Sequence, residues 1–166
     1  MKCLIISDSH GNSLGVRKII NLHRDAEVVF FLGDGLCDLE QYENDKTRAI
    51  LAVRGNWDEY GGFFGDVMCK KTDSINLLGR RIVFTHGDLY GAKYGLDGLK
   101  KLAEDTKADI LLFGHTHQRL EKYIPTDDGG YYLFNPGSAG AGYGKSASYG
   151  LLTITEKDIL FSHGTL

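Results

Sequence analysis

The sequence predicts an α/β fold in a single domain that spans residues 1–166. Short apolar runs with the length of buried strands alternate with amphipathic stretches with the length of helices. This order of strand, turn, helix and strand is typical of parallel strands joined by crossover helices. With 166 residues, of which 42% are hydrophobic and 25% charged, the chain is long enough to bury one sizeable core. It contains no internal repeat, charged tail or linker that would divide it.

Three short apolar runs near the start of the chain predict buried strands that each end in a polar turn. After the first strand we expect a helix capped by Asn12 or Ser13, because either side chain can accept a hydrogen bond from the first helical turn. A short helix or helical loop is predicted over residues 36–46. The predicted strands are residues 2–7, 27–32 and 49–53, and the predicted apolar face of the first helix contains Leu14, Ile19, Ile20 and Leu22.

The rest of the chain combines predicted hairpins with one more crossover unit. Residues 59–66, which are rich in glycine, are predicted to form a loop. A helix at residues 96–106 should lead into a buried strand at residues 109–113. The predicted hairpins are residues 74–78 with 81–85 around Gly79-Arg80, residues 119–124 with 131–134 around a turn at 127–130, and residues 149–155 with 159–163.

Five of the apolar runs end in side chains that could bind a metal. Because ligands bind outside the carboxyl ends of strands in open α/β sheets, we expect these donors to meet in one crevice. His115 and His117 lie two residues apart, so in an extended segment both would point to the same side. Helix capping, turn formation and ordinary core histidines remain alternatives for individual residues. The candidate donors are Asp8, His10, Asp34, Asn56, His86, His115 and His117.

The chemistry of this donor set narrows the class of metal. It contains oxygen and nitrogen donors but no thiolate, which favours a hard or borderline cation such as Mn, Fe, Co or Zn. Seven protein donors are too many for one catalytic metal that must keep an open position. Two metals that share a bridging carboxylate fit the number of donors better.

The order of the motifs resembles that of the calcineurin-like metallophosphoesterases. The motifs are Asp-x-His at residues 8–10, Gly-Asp at 33–34, Gly-Asn-x-Asp at 55–58, His-Gly at 86–87 and Gly-His-Thr-His at 114–117. The length of the chain is similar to that of the small YfcE-type phosphodiesterase branch. The resemblance extends from Asp8 to Ser138, and it implies a β-sandwich of two mixed sheets flanked by helices.

The same resemblance implies a centre of two divalent transition-metal ions, with Mn expected and Fe, Co, Zn or Ni as alternatives. It places Asp8, His10, Asp34 and His117 on one ion, and Asp34, Asn56, His86 and His115 on the other, so that Asp34 is the bridge. The expected function is hydrolysis of phosphate esters, most of all phosphodiesters. A water between two cations should lose a proton near neutral pH and attack phosphorus in line.

Further residues receive roles from the resemblance. We expect Asp34, Asn56 and Asp58 to serve catalysis, with Asp58 orienting a neighbour, although a turn or cap role would also explain Asp58. Many larger family members have a histidine after the Gly-Asn pair as a candidate general acid. Trp57 occupies this position here and cannot release a proton. The candidate substrate contacts are Asn12, Trp57, Tyr143 and Lys145, with helix capping as the alternative for Asn12.

Composition also bears on partners and location. The net charge of −3 and pI of about 6.0 imply no large basic face, so long nucleic acid is not expected as a partner. No apolar stretch is long enough to span a bilayer, and no membrane partner is expected. Three widely spaced cysteines fit reduced thiols in a cytoplasmic protein. We expect a small phosphate ester as substrate; a homo-oligomer is compatible with the sequence.

The alternative function is a non-catalytic scaffold for protein–protein interaction, as in the retromer subunit of the same fold. Such a role tolerates the loss of metal ligands, whereas this chain has all seven. The aromatic residues Tyr60, Phe63 and Phe64 could form a partner surface or a loop folded over the site. His23 and His163 match no motif and are expected to be ordinary surface or core histidines.

Overall fold

The computed structural model describes residues 1–58, 62–127, 129–140 and 146–166, and its main feature is a pair of five-stranded mixed sheets. A 3-10 helix, Leu36–Tyr42, follows the second strand, and another, Asp88–Tyr90, follows the seventh. The helices and strands, in chain order, are β1 (Lys2–Ile6), α1 (Ser13–Leu22), β2 (Val28–Phe31), β3 (Ala49–Ala52), β4 (Phe63–Phe64), β5 (Val67–Met68), β6 (Thr72–Leu77), β7 (Arg80–Thr85), α2 (Asp97–Thr106), β8 (Ile110–Leu112), β9 (Arg119–Thr126), β10 (Gly129–Pro136), β11 (Ser148–Ile154) and β12 (Ile159–Thr165).

Each large sheet combines three neighbouring parallel strands with antiparallel strands, which lie on one side of them in the first sheet and on both sides in the second. The first sheet has the order β12-β11-β1-β2-β3, in which β1, β2 and β3 run parallel. The second has the order β6-β7-β8-β10-β9, in which β7, β8 and β10 run parallel. The carboxyl ends of three neighbouring strands therefore lie together at one edge of each sheet. The strands β4 and β5 form a separate small hairpin.

The two sheets pack face to face because their central strands are apolar on both sides. Successive side chains of a strand point to opposite faces, so Cys3 and Ile5 of β1 enter one core while Leu4 and Ile6 enter another. The core between the sheets is formed by Cys3, Ile5, Val28, Phe30, Leu32, Val53, Ile82, Phe84, Ile110, Leu112, Phe134, Leu152 and Ile154. This middle layer fixes the two edges that carry the candidate donors against each other.

Helices cover the outer faces of both sheets. The helix α1 and the 3-10 helix Leu36–Tyr42 pack on the first sheet through Val16, Ile19 and Leu39. The helix α2 packs on the second sheet through Leu99 and Ala103. The result is the predicted arrangement of two mixed sheets flanked by helices. Among the described residues, no helix has the length and apolar character needed to cross a bilayer.

The apolar face predicted for α1 is partly wrong. Leu14 and Leu22 are 66% and 61% exposed, whereas Val16, Ile19 and Ile20 are buried. The buried stripe follows the spacing i, i+3 and i+4, which is one side of a helix. Leu14 and Leu22 lie two residues outside this stripe, about 200° around the axis, and so face solvent. The predicted cap is correct for Asn12, whose Oδ1 accepts a hydrogen bond from the amide of Gly15 at 3.1 Å.

Two predictions for the middle of the chain also need correction. The hairpin of β6 and β7 turns at Leu78-Gly79, one residue earlier than predicted, because both residues adopt the positive φ of a tight hairpin turn. The end of the predicted loop at 59–66 forms β4 and the turn that leads to its hairpin partner β5. Phe64 packs on the core under α1, and Phe63 is 49% exposed. Tyr60, which the sequence analysis places in the same partner surface or loop, lies outside the described residues.

Replacing Ile19 with alanine should destabilise the protein far more than the same change at Leu14. Ile19 is fully buried on the side of α1 that faces the first sheet. Ile19→Ala removes buried methyl groups and leaves a cavity, which should lower the free energy of unfolding by about 2–5 kcal/mol. Leu14→Ala changes an exposed side chain, so it should change the free energy of unfolding by no more than about 0.5 kcal/mol. Urea unfolding of both variants measures the difference. Equal losses would contradict the packing assigned to α1.

Candidate metal centre

The candidate donors stand on sharp turns directly after the parallel strands. A positive φ is uncommon for residues other than glycine, and such strain tends to cluster at functional sites. Of the seven non-glycine residues with positive φ among the described residues, five are predicted metal ligands: Asp8, His10, Asp34, His115 and His117. These turns reverse the chain at the strand ends and bring donors from both sheets together.

The first group of donors consists of Asp8, His10 and His117. Nε2 of His117 lies 3.1 Å from Oδ1 of Asp8 and 3.2 Å from Nε2 of His10. Nε2 of His10 lies 3.9 Å from the same carboxylate oxygen. Asp8 is fully buried, whereas the side chains of His10 and His117 are 25% and 46% exposed. This group therefore opens towards solvent on the side of its histidines.

The second group consists of Asp34, His86 and His115. Nε2 of His86 lies 3.2 Å from Oδ2 of Asp34 and 3.1 Å from Nδ1 of His115. Oδ2 of Asp34 also lies 4.0 Å from Nε2 of His10 in the first group. One carboxylate oxygen thus faces both groups, as a bridging ligand must.

Asn56 lies between two residues, Gly55 and Trp57, that both approach the carboxylate of Asp34. The amide of Trp57 donates to Oδ1 of Asp34 at 2.8 Å. A side chain at Gly55 would overlap the same carboxylate oxygen, so only glycine allows this close approach. Oδ1 of Asn56 is buried and has no hydrogen-bond partner among the described residues.

The geometry of the donors fits metal ions. A buried acceptor without a hydrogen bond is costly. Within the described residues, Oδ1 of Asn56 is such an atom, and Oδ1 of Asp8 accepts no hydrogen bond of suitable geometry, even from Nε2 of His117 at 3.1 Å. A cation would satisfy them. Two ligand nitrogens bound to one ion at about 2.1 Å, with right or tetrahedral angles, lie roughly 3.0–3.4 Å apart. The His10–His117 and His86–His115 nitrogen pairs have separations of 3.2 and 3.1 Å.

Charges in the second group favour cation binding. Burial raises the pKa of Asp34, but the hydrogen bond and charge of His86 and the amide of Trp57 outweigh it, so the pKa lies below its ordinary value. Burial and the nearby charges of His86 and Lys93 lower the pKa of His115, which keeps its imidazole neutral. Burial lowers the pKa of His86, but the hydrogen bond to Asp34 and the carboxylate charges raise it overall. The lowered pKa of the Asp34 carboxyl and the lowered pKa of the His115 imidazole both favour the protonation states that bind cations.

A comparison with known families identifies the kind of protein. A family model described as the calcineurin-like phosphoesterase superfamily domain matches residues 1–157. The chain belongs to this superfamily. It is 33% identical over 155 residues to the probable metallophosphoesterase YsnB of Bacillus subtilis (strain 168), with 93% of this chain and 85% of the relative covered.

Solved structures agree with this assignment. A single mutant of Vps29 from Entamoeba histolytica superposes with a TM-score of 0.76 and 27% identity, covering 100% of this chain and 93% of that one. YfcE, a phosphoesterase from E. coli, has a TM-score of 0.67 and 25% identity, covering 92% of this chain and 88% of that one. The family and fold class predicted from the motifs are therefore confirmed.

His86 and Asp8 are each held in place by hydrogen bonds to the side-chain atom that does not face the other candidate donors. Nδ1 of His86 lies 2.7 Å from the carbonyl oxygen of Leu32; when Nδ1 donates there, Nε2 is free to bind a metal. Oδ2 of Asp8 accepts from the hydroxyl of Ser7 at 2.5 Å and from the amide of His115 at 3.0 Å. The other oxygen of Asp8 is thereby directed to the metal groups.

Asp58 holds the turn that carries Asp34. Its buried carboxylate accepts hydrogen bonds from four backbone amides, those of Asp34 at 2.7 Å, Gly35 at 2.9 Å, Leu36 at 3.0 Å and Gly55 at 2.9 Å. The loops after β2 and β3 are tied together in this way. Asp58 thus fixes the backbone that carries Asp34, and its service to the chemistry of the site stays a prediction.

The predicted substrate contacts have different surroundings. Trp57 is 75% exposed, and its ring meets that of His10 edge to face at a centroid distance of 5.2 Å, so it lies at the open side of the first group and not in the core. Asn12 caps α1 and donates to the carbonyl oxygen of Ala139 at 2.9 Å, which are structural contacts. Tyr143 and Lys145 lie outside the described residues.

Other residues support the site without having been predicted to do so. Nδ2 of Asn135 donates to the carbonyl oxygen of Gly114 at 2.8 Å and to the hydroxyl of Thr116 at 3.1 Å, which fixes the Gly-His-Thr-His turn. Asn135 begins the sequence Asn-Pro-Gly-Ser, which indicates a turn but not the contact of Asn135 with Gly114. Asp38 and Lys71 also bond the donor loops, but neither belongs to a motif.

Replacing Asp58 with asparagine should weaken both folding and metal binding. An amide offers one acceptor oxygen and turns an NH₂ group towards amide donors, so buried N–H groups lose their partner at a cost of about 1–3 kcal/mol. Displacement of Asp34 should lower Mn affinity about 10–100-fold. Urea unfolding and Mn titration measure the two effects. The matched control is Asp105→Asn on the surface of α2, which should change neither; an unchanged Asp58→Asn protein would contradict the orienting role.

Proposed function

We propose that the protein is a two-metal-dependent phosphoesterase and, more specifically, a phosphodiesterase. The observation that carries the proposal is the position of Oδ2 of Asp34, which lies between the two donor groups, 3.2 Å from Nε2 of His86 and 4.0 Å from Nε2 of His10. Membership of the calcineurin-like phosphoesterase superfamily supports metal-dependent hydrolysis as the chemistry.

In this proposal the two donor groups hold one ion each. Asp8, His10 and His117 would hold the first with Asp34, and His86, His115 and Asn56 would hold the second with Asp34. When bound, two divalent cations supply an activated water and neutralise the charge on the phosphoryl oxygens. Mn is the expected metal, with Fe, Co, Zn or Ni as alternatives of similar ligand preference.

The burial of the two groups suggests how the substrate approaches. The side chains of Asp8 and His86 are fully buried, whereas His117 is 46% exposed and lies beside His10. A small phosphate ester would therefore enter over these two histidines, with its leaving group near Trp57. An exposed indole offers an apolar face on which an aromatic leaving group or a base can stack.

A protein-binding scaffold is the second candidate. The similarity to Vps29 and the half-exposed Phe63 favour it. The complete set of seven donors favours catalysis, because a scaffold role alone places no demand on buried ligands.

A cytoplasmic location remains part of the proposal. It is supported by the three free cysteines, of which Cys3 is buried with its pKa raised to about 12.

Asp34→Asn should nearly abolish activity, because it removes charge from both metal positions at once. The measurement is hydrolysis of a panel of phosphomonoesters, phosphodiesters and cyclic nucleotides by Mn-loaded protein. His23→Ala is the control, since His23 contacts Lys2 and Tyr149 and belongs to neither donor group. Activity close to wild type in Asp34→Asn, or an equal loss in His23→Ala, would refute the proposed site. Hydrolysis of monoesters alone would exclude the phosphodiesterase assignment.

The rate should depend steeply on the pKa of the leaving group. General acid help is typically worth about a hundredfold or more, and Trp57 cannot supply it. Aryl esters should therefore react much faster than alkyl esters, and the slope of log rate against leaving-group pKa should become shallower in Trp57→His. The amide of residue 57 remains available to Asp34 in this variant. A flat slope in the wild type would mean that another acid serves the leaving group or that chemistry does not limit the rate.

A further inference from the structure

Lys71 joins the loop that carries Asn56 to the loop that carries His86. It directly precedes β6, and its side chain is only 20% exposed. Its ammonium group donates to the carbonyl oxygen of Gly55 at 3.0 Å and to Oδ2 of Asp88 at 3.3 Å. Gly55 immediately precedes Asn56 after β3 of the first sheet, and Asp88 lies two residues beyond His86 after β7 of the second. One side chain thus bridges the sandwich at its metal-binding edge.

Asp38 occupies a corresponding place beside the first group. It is 4% exposed and lies in the 3-10 helix Leu36–Tyr42. Its Oδ2 accepts from the hydroxyl of Ser9 at 2.5 Å and from the amide of Gly11 at 3.0 Å. These two residues flank His10 on either side, so Asp38 fixes the turn from which His10 projects.

We propose that the two metal positions have separate anchors, Lys71 with Asp88 for the second and Asp38 for the first. The inference rests on the proposed two-metal function and adds that either position can be weakened without the other. None of the three residues is a ligand, so each is a positioning residue. Asn56 depends most on Lys71, because His86 is also held by the carbonyl oxygen of Leu32.

The sign of the effect separates positioning from simple electrostatics. A lysine ammonium near a cation repels it, so if Lys71 acted through charge alone, Lys71→Met would strengthen metal binding. If Lys71 positions Asn56 and His86, the same change releases both loops and weakens binding. Loss of a residue that orients metal ligands typically lowers affinity about 10–100-fold.

Backgrounds with one weakened donor group allow each position to be measured alone. His117→Ala disables the first group and leaves the second for Mn titration by calorimetry, while His115→Ala does the converse. In the His117→Ala background, Lys71→Met should lower Mn affinity at least tenfold and Lys71→Arg should restore most of it. In the His115→Ala background, Lys71→Met should have little effect and Asp38→Ala should lower the affinity at least tenfold.

Lys70→Met is the matched control in both backgrounds. Lys70 is the preceding residue, but its side chain is 68% exposed and pairs with Asp73, so its loss should leave Mn affinity unchanged. If Lys71→Met does not fold, Asp88→Asn tests the same anchor from its other end, with the same selective loss expected.

The outcomes separate this inference from the function on which it rests. Fewer than two Mn ions on the wild-type protein would refute the dinuclear function, and the anchors with it. Suppose instead that the wild-type protein binds two Mn ions. The anchors alone would then be overturned if Lys71→Met left Mn affinity unchanged or raised it in the His117→Ala background, or lowered it equally in the His117→Ala and His115→Ala backgrounds. Selective loss with rescue by arginine establishes them.

Discussion

The rest of the site depends on the placement of one buried carboxylate, that of Asp34. Its Oδ1 is fixed by the amide of Trp57 and its Oδ2 faces both donor groups. Its own backbone amide is held by Asp58. A buried carboxylate needs hydrogen bonds or nearby positive charge, and the surroundings of Oδ2 are histidines from both groups. The donor groups on either side of Asp34 therefore determine which positive charges can be accommodated.

The sandwich explains how donors from distant parts of the chain reach this carboxylate. Parallel strands end at a common edge, and the core between the sheets holds the two edges together. The first sheet contributes Asp8, His10 and Asp34, while the second contributes His86 and the pair after β8. Cross-links at the edge, such as Lys71 between Gly55 and Asp88, then reduce the freedom of the loops. Rigid strands set the coarse position, and loop hydrogen bonds set the fine one.

Much of this arrangement could be predicted from the sequence, because strand ends and donor types are local features. Short apolar runs in the sequence predict buried strands, and the turns after these strands contain the candidate donors in recognisable motifs. Local patterns misplaced Leu14 and Leu22, because the width of the buried stripe on α1 depends on what α1 packs against. The β4–β5 hairpin was missed because two-residue strands have no detectable period.

The positioning residues could not be predicted, because their role depends on tertiary placement alone. Lys70 and Lys71 are adjacent and chemically identical, yet the side chain of one is 68% exposed and that of the other 20%. Asp38 looks like any acidic residue at the start of a short helix. The direction of Trp57 was equally hidden, since the sequence allowed both a core position and the exposed rim where it lies.

Anomalous diffraction from crystals of the wild-type protein grown with Mn would test the bridging role of Asp34. A bridging Asp34 predicts two anomalous peaks about 3.5–4 Å apart, one on each side of its Oδ2. One peak should lie against His10 and His117, and the other against His86 and His115. A single peak at saturating Mn, or two peaks that do not share Asp34, would contradict the bridging carboxylate on which the proposed chemistry rests.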